Sequence, residues 1–334
     1  MTRGTTWRWV VAAAASLTLL TAACSDVEST TEAADTGATS TDTGAPAVAQ
    51  CGSEPITIAV NPWTGAAVNA NVAKAVMEQQ MGCTVELVDF DEFAQFPALA
   101  GADVDATLEV WPSGHAKDYK QYIEGEAGVV DGGELGVIGN IGWFTPTFVV
   151  DENPDAASWE TLKGNEDIFG GEFLGADPTF SIYDEEIVEN LGLALEVTYS
   201  GSEAASLAAL DKAYEAGDPI LMYFWSPHWA QAKYDLTEVE LPAYDEACAE
   251  AATNADGDGY ACDYAEDILY KAFSDQLETK DPAAFAFLSA FSYTNDDQNE
   301  IALAVDDGGM AIEDAAQEWV DANEDVWSAW VPAA

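Results

Sequence analysis

Two short motifs carry most of the chemistry legible in this chain of 334 residues. Trp111-Pro112-Ser113-Gly114-His115 follows the run Ala106-Thr-Leu-Glu-Val, and Trp225-Ser226-Pro227-His228-Trp229 follows Pro219-Ile-Leu-Met-Tyr-Phe. Each sets a tryptophan at the carboxyl end of an apolar, strand-forming run, and together they contain both histidines of the chain. Trp63, in Asn61-Pro62-Trp63, stands just beyond a third such run. Phe180 closes Gly175-Ala-Asp-Pro-Thr-Phe180, and Trp143 lies in Gly142-Trp143-Phe144. Ring faces are negative, so several rings facing one cleft can box a quaternary ammonium at about 2 kcal/mol per ring once the cation is desolvated. Three rings would supply about 6 kcal/mol, and micromolar affinity needs about 8, so polar contacts at the ligand's other end must supply the rest. A carboxylate at that end can be met by backbone N–H groups and by His115 or His228.

Charge narrows the choice of ligand and partner. The sequence holds 61 Asp and Glu against 10 Lys and Arg, a formal charge of −51, which argues against nucleic acid. Both arginines, Arg3 and Arg8, precede the apolar run Val10 to Leu20 and the stretch Leu20-Thr-Ala-Ala-Cys24. That order reads as a signal peptide over residues 1–23. Its end resembles a bacterial lipobox, which implies cleavage before Cys24 and a lipid on that sulfur. Residues 24–50 lack aromatics and apolar periodicity and read as a tether from the membrane to the folded body. Cleavage would leave eight lysines and no arginine, so a ligand carboxylate cannot be gripped by a guanidinium fork.

Four cysteines remain, Cys51, Cys83, Cys248 and Cys262, which permit three disulfide pairings outside the cytoplasm. Proximity favours Cys51 with Cys83 and Cys248 with Cys262. No metal and no cofactor is expected: no Cys-x-x-Cys spacing occurs, and the Asn254-Ala-Asp-Gly-Asp-Gly259 run, which resembles the start of a calcium loop, has Ala265 where the twelfth position needs Glu. There is no Gly-x-Ser-x-Gly elbow, His-Glu-x-x-His or phosphate loop, so no enzyme is expected. The competing reading is an extracytoplasmic carbohydrate-active enzyme or carbohydrate-binding lipoprotein that uses the tryptophans as sugar platforms.

The elements that must position these residues alternate. Ile56–Val60, Thr84–Val88 and Ala106–Trp111 read as strands separated by helical stretches. The order returns with strands at 138–150, 171–174, 197–199, 219–225 and 236–241, implying parallel strands with crossover helices in two α/β lobes. Ile268 to Leu277, Pro282 to Ala290, Asp296 to Val305 and Ala311 to Ala322 read as a terminal run of helices. In open α/β sheets ligands bind at the carboxyl ends of strands, where the tryptophans fall.

Val104-Asp-Ala-Thr-Leu-Glu-Val-Trp111 with His115, Gly175–Phe180 and Asp218–Trp229 resemble the substrate-binding proteins of ABC-type importers for glycine betaine, proline betaine and choline. The resemblance spans about residues 51 to 331. It implies a two-lobed α/β fold of the periplasmic-binding-protein type II (venus flytrap) class, with residues 51–144 and 240–334 in one lobe and 145–239 in the other. It further implies a monomer that captures a quaternary-ammonium osmoprotectant, glycine betaine foremost, and hands it to ABC permease subunits. Trp111 and Trp225 match the family's cage positions, Phe180 takes a place where some members have tryptophan, and Trp63 or Trp143 would complete the cage. His115 matches a ligand-binding position of the family.

Overall fold

A computed structural model describes residues 47–180, 183–248 and 259–334. The leader, Cys24, nearly all of the tether and the run Asn254 to Asp258 lie outside these residues. Among the described residues nine strands form one mixed sheet, in the order β2 (Val85–Asp89), β1 (Ile56–Val60), β3 (Ala106–Val110), β9 (Glu266–Ser274), β4 (Val129–Pro146), β7 (Met222–Ser226), β5 (Glu172–Gly175) and β6 (Glu196–Tyr199), with β8 (Leu236–Glu238) on the side of β4.

The first five elements make a unit: β1 (Ile56–Val60), α1 (Thr64–Met81), β2 (Val85–Asp89), α2 (Gln95–Ala100) and β3 (Ala106–Val110). β1 pairs in parallel with both β2 and β3. Strands covered on both faces carry continuous apolar runs, and β3 is buried along its whole length. α1 stops at Gly82, whose φ of 64° puts it in the left-handed region, where its N–H reaches the Met77 carbonyl.

A second unit repeats the plan with β5 (Glu172–Gly175), α4 (Asp184–Leu191), β6 (Glu196–Tyr199), α5 (Glu203–Ala216) and β7 (Met222–Ser226). β5 again pairs in parallel with its two neighbours. Between the units run α3 (Pro112–Asp118) and β4 (Val129–Pro146), and β8 (Leu236–Glu238) and β9 (Glu266–Ser274) follow β7. β4 is antiparallel to β9, β7 and β8, so one long strand is shared by both halves of the sheet. The 144/145 division expected from the sequence falls inside β4, where Asn140–Phe144 pair with β7.

Three expectations are corrected. The sheet is mixed rather than purely parallel. Residues 129–137 belong to β4, although their glycines hid the strand pattern. Ile268 to Leu277, expected as a helix, supplies most of β9 and is sandwiched between β3 and β4. From Leu269 to Ser274 every residue is buried, so the run lacks the alternation that marks a half-buried strand. Even Lys271 is buried, its ammonium donating to the Ser289 and Phe291 carbonyls. The remaining terminal helices stand: α6 (Pro282–Ala290), α7 (Asn295–Asp306) and α8 (Ile312–Ala322), with α7 and α8 against α1. Cys51 is joined to Cys83 and Cys248 to Cys262.

Candidate functional site: a ring-lined chamber between two units

In each unit the first strand lies between the second and the third, so the chain leaves the carboxyl ends of the first and third strands in opposite directions. A crevice opens between those two ends. Trp63 follows β1 and Trp111 follows β3; Phe180 follows β5 and Trp225 lies at the end of β7. The two crevices share one chamber. Trp63, Trp111, Phe180, Tyr223, Trp225, Ile141 and Glu92 line it. Phe180 stands edge-on to a ring from each unit, 5.3 Å from Trp63 at 83° and 6.0 Å from Trp225 at 82°.

Glu109 holds the first unit's rings. Its Oε1 accepts the indole N–H of Trp63 at 2.7 Å and that of Trp111 at 3.0 Å. Its Oε2 accepts from Asn69 of α1 at 2.5 Å and Gln298 of α7 at 2.9 Å. Asn69 Oδ1 in turn accepts from the Tyr293 hydroxyl. Burial raises the Glu109 carboxyl to about 7 against the lowering effect of these four donors. Trp111 also needs Gly139 of β4, because a Cβ there would run into the indole ring.

Each histidine is buried against a glutamate that follows its unit's second strand. His115 Nε2 lies 2.9 Å from Glu92 Oε1, and its Nδ1 lies 2.8 Å from Asp118 Oδ2. Burial opposes charge on this ring, but the bonds to Asp118 and Glu92 outweigh it and raise the pKa to about 9. An imidazolium thus sits behind Glu92. His228 Nε2 lies 3.0 Å from Glu203 Oε1. The other oxygen of Glu203 accepts the Thr64 N–H at 2.8 Å, capping α1 of the opposite unit. Asp306 of α7 adds a second tie across the units, accepting from Thr64 and from the Trp229 indole.

Four of the expected residues therefore meet: Trp63, Trp111, Phe180 and Trp225. His115 and His228 stand one residue behind the chamber, reaching Glu92 and Glu203 rather than its interior. Trp143 is wholly buried, 4.5 Å from Phe173, with its N–H on Asp184 Oδ1. It packs the second unit's core instead of facing the chamber. Asp184 is pushed up to about 7 by burial, despite donors from Trp143 and Tyr264. Tyr223, Ile141, Glu92 and Glu109 were not read from the sequence. Tyr223 and Glu109 carried a signal: each lies two residues before a strand-end tryptophan, and residues two apart share a strand face. Glu92 carried none, because His115 brings it there through the fold. Among the described residues no group of three or more His, Cys, Asp or Glu is placed to hold a metal.

Comparisons with known proteins bear on the family and the fold. The family model for the substrate binding domain of ABC-type glycine betaine transport systems matches residues 54–322. The trimethylamine N-oxide-binding protein of Pelagibacter ubique (strain HTCC1062) is 27% identical over 291 residues, 82% of this chain and 90% of that protein. The glycine/betaine/L-proline-binding protein ProX from Borrelia burgdorferi is 24% identical with a TM-score of 0.69, over 84% of this chain and 97% of that one. An ABC-transporter choline binding protein in complex with choline is 18% identical with a TM-score of 0.68, over 84% and 93%. These last two likenesses establish the fold. The chain belongs to the family of substrate-binding domains of ABC-type glycine betaine transport systems.

Proposed function

We propose that, as the substrate-binding protein of an ABC importer of the betaine and choline class, this chain captures a quaternary-ammonium osmoprotectant between its two units. Trp63, Trp111, Phe180 and Trp225 surround the ammonium. The observation that carries this reading is the convergence of five rings, two from the first unit and three from the second, on one chamber. A carbohydrate platform would need rings laid side by side along an open face, whereas Phe180 meets two of these edge-on. Glycine betaine and choline are the foremost candidates, in line with the family and with the relatives' ligands.

The two lobes part along β4, and the ties from Thr64 to Glu203 and from Trp229 to Asp306 hold them together around the ligand. As an importer's binding component the protein works outside the cytoplasm. Among the described residues no helix is long and apolar enough to cross a membrane. A lipid on Cys24 tethers it at the cell membrane, where it meets the permease subunits as a monomer. The support is the order Arg3, Arg8, Val10 to Leu20, Cys24.

Titration calorimetry with choline and glycine betaine tests the cage. Trp111→Ala and Trp225→Ala should each weaken binding by at least about tenfold, since a desolvated ring contributes about 2 kcal/mol. Unchanged affinity in both variants would remove the cage assignment.

A further inference from the structure

We propose that Glu92 is a specificity-determining residue: it turns the chamber toward a quaternary ammonium whose polar end carries no negative charge, such as an ammonium alcohol of the choline kind, and against a betaine carboxylate. The proposal rests on the function proposed above and deepens it. Among the described residues Glu92 is the charged side chain on the chamber wall, and it is only 3% exposed. Its nearest cation is His115, and that imidazole is shared with Asp118, so two carboxylates divide one positive charge.

Among the described residues no other cation stands beside a second anion there. The described residues contain no arginine, and no lysine lines the chamber. Lys117 lines the adjoining groove, in company with Asp118, Asp184, Glu185 and Glu186. Asp267 approaches from β9, bound to Ser113 through both oxygens. The ready donors are neutral. Tyr223 and Trp225 are 4% and 7% exposed, and neither the phenol O–H nor the indole N–H has a hydrogen-bond partner among the described residues.

A betaine held by the rings must bring its carboxylate into this small, water-poor space beside Glu92, where like charges repel strongly. A choline-like ligand brings a net positive charge toward Glu92 and offers a hydroxyl that can donate to a carboxylate or accept from Tyr223. Glu92 thus favours the second ligand twice, once through net charge and once through hydrogen bonding.

The test is calorimetry on the full chain with tetramethylammonium, choline and glycine betaine, for the wild type, Glu92→Gln and Glu92→Asp. The wild type should bind choline at least about tenfold more tightly than glycine betaine. Glu92→Gln, which leaves His115 paired with Asp118, should narrow that ratio at least about fivefold, and Glu92→Asp should keep most of it. Wild-type protein that binds glycine betaine as tightly as choline overturns the proposal whether or not the variants fold. So does a folded Glu92→Gln with an unchanged ratio. If tetramethylammonium and choline both bind while the ratio fails, the cage stands and only the role of Glu92 falls. Binding of none of the three overturns the proposed function itself, and the proposal with it.

Discussion

In the first unit the residue two before the strand-end tryptophan is Glu109, and in the second it is Tyr223. Glu109 ties both indoles of its unit to one buried carboxylate and binds that carboxylate to α1 and α7. Among the described residues the second unit's rings have no such anchor. Trp225 is located by packing, 5.0 Å from Phe224 and 5.1 Å from His228, and Phe180 by its edges on Trp63 and Trp225. A ring held by a charge-assisted hydrogen bond has a defined rotation about its long axis, whereas a ring held by packing can shift with its neighbours. The first wall is therefore set before the ligand arrives, and the second is the wall that adjusts. This division suits a receptor that encloses its ligand, because preorganising one wall lowers the ordering cost of binding.

The contrast is broken most severely at Glu109. Glu109→Leu leaves four buried donors without an acceptor, at about 1–3 kcal/mol each, so a large fall in melting temperature and about a hundredfold loss of affinity are expected. Tyr223→Phe removes only a hydroxyl that has no partner among the described residues and should cost no more than about fivefold. Equal losses measured by calorimetry would erase the distinction between the walls. Phe180→Trp sharpens it from the other side: a better cation acceptor on the adjustable wall should tighten choline binding about threefold to tenfold, provided the wall yields to the larger ring. A loss would show the second wall to be as rigid as the first.

The smallest effect is on pH dependence. The Glu109 pKa in the folded protein, about 7, lies above its ordinary value of 4.5, so folding takes up a proton between those limits. Its contribution to stability is present at low pH and is lost as the pH rises through about 7. Asp184 behaves alike on the other wall. Chemical denaturation of wild type and Glu109→Gln from pH 5 to 8 should show the wild type losing more stability over that range. Parallel curves would place the titration elsewhere.

Much of this was written in the local pattern. The strand-end positions of Trp63, Trp111, Phe180 and Trp225 followed from apolar runs that end in turn-forming residues, and the ligand class followed from rings in a chain whose only arginines are Arg3 and Arg8. Trp143 was indistinguishable from them, because a tryptophan in a strand can face either side and only the sheet's two surfaces decide which is core. β9 was hidden for a related reason: central strands covered on both faces lose the alternation that identifies them. The chamber's carboxylates were decided by tertiary structure alone. Glu109 gains its role from four donors on three elements, and Glu92 from a histidine 23 residues away that no local pattern links to it. Sequence determines which chemistry is available at strand ends, since backbone periodicity is local. Which charges stand behind the rings depends on long-range packing, and this is what selects among ligands that share an ammonium head.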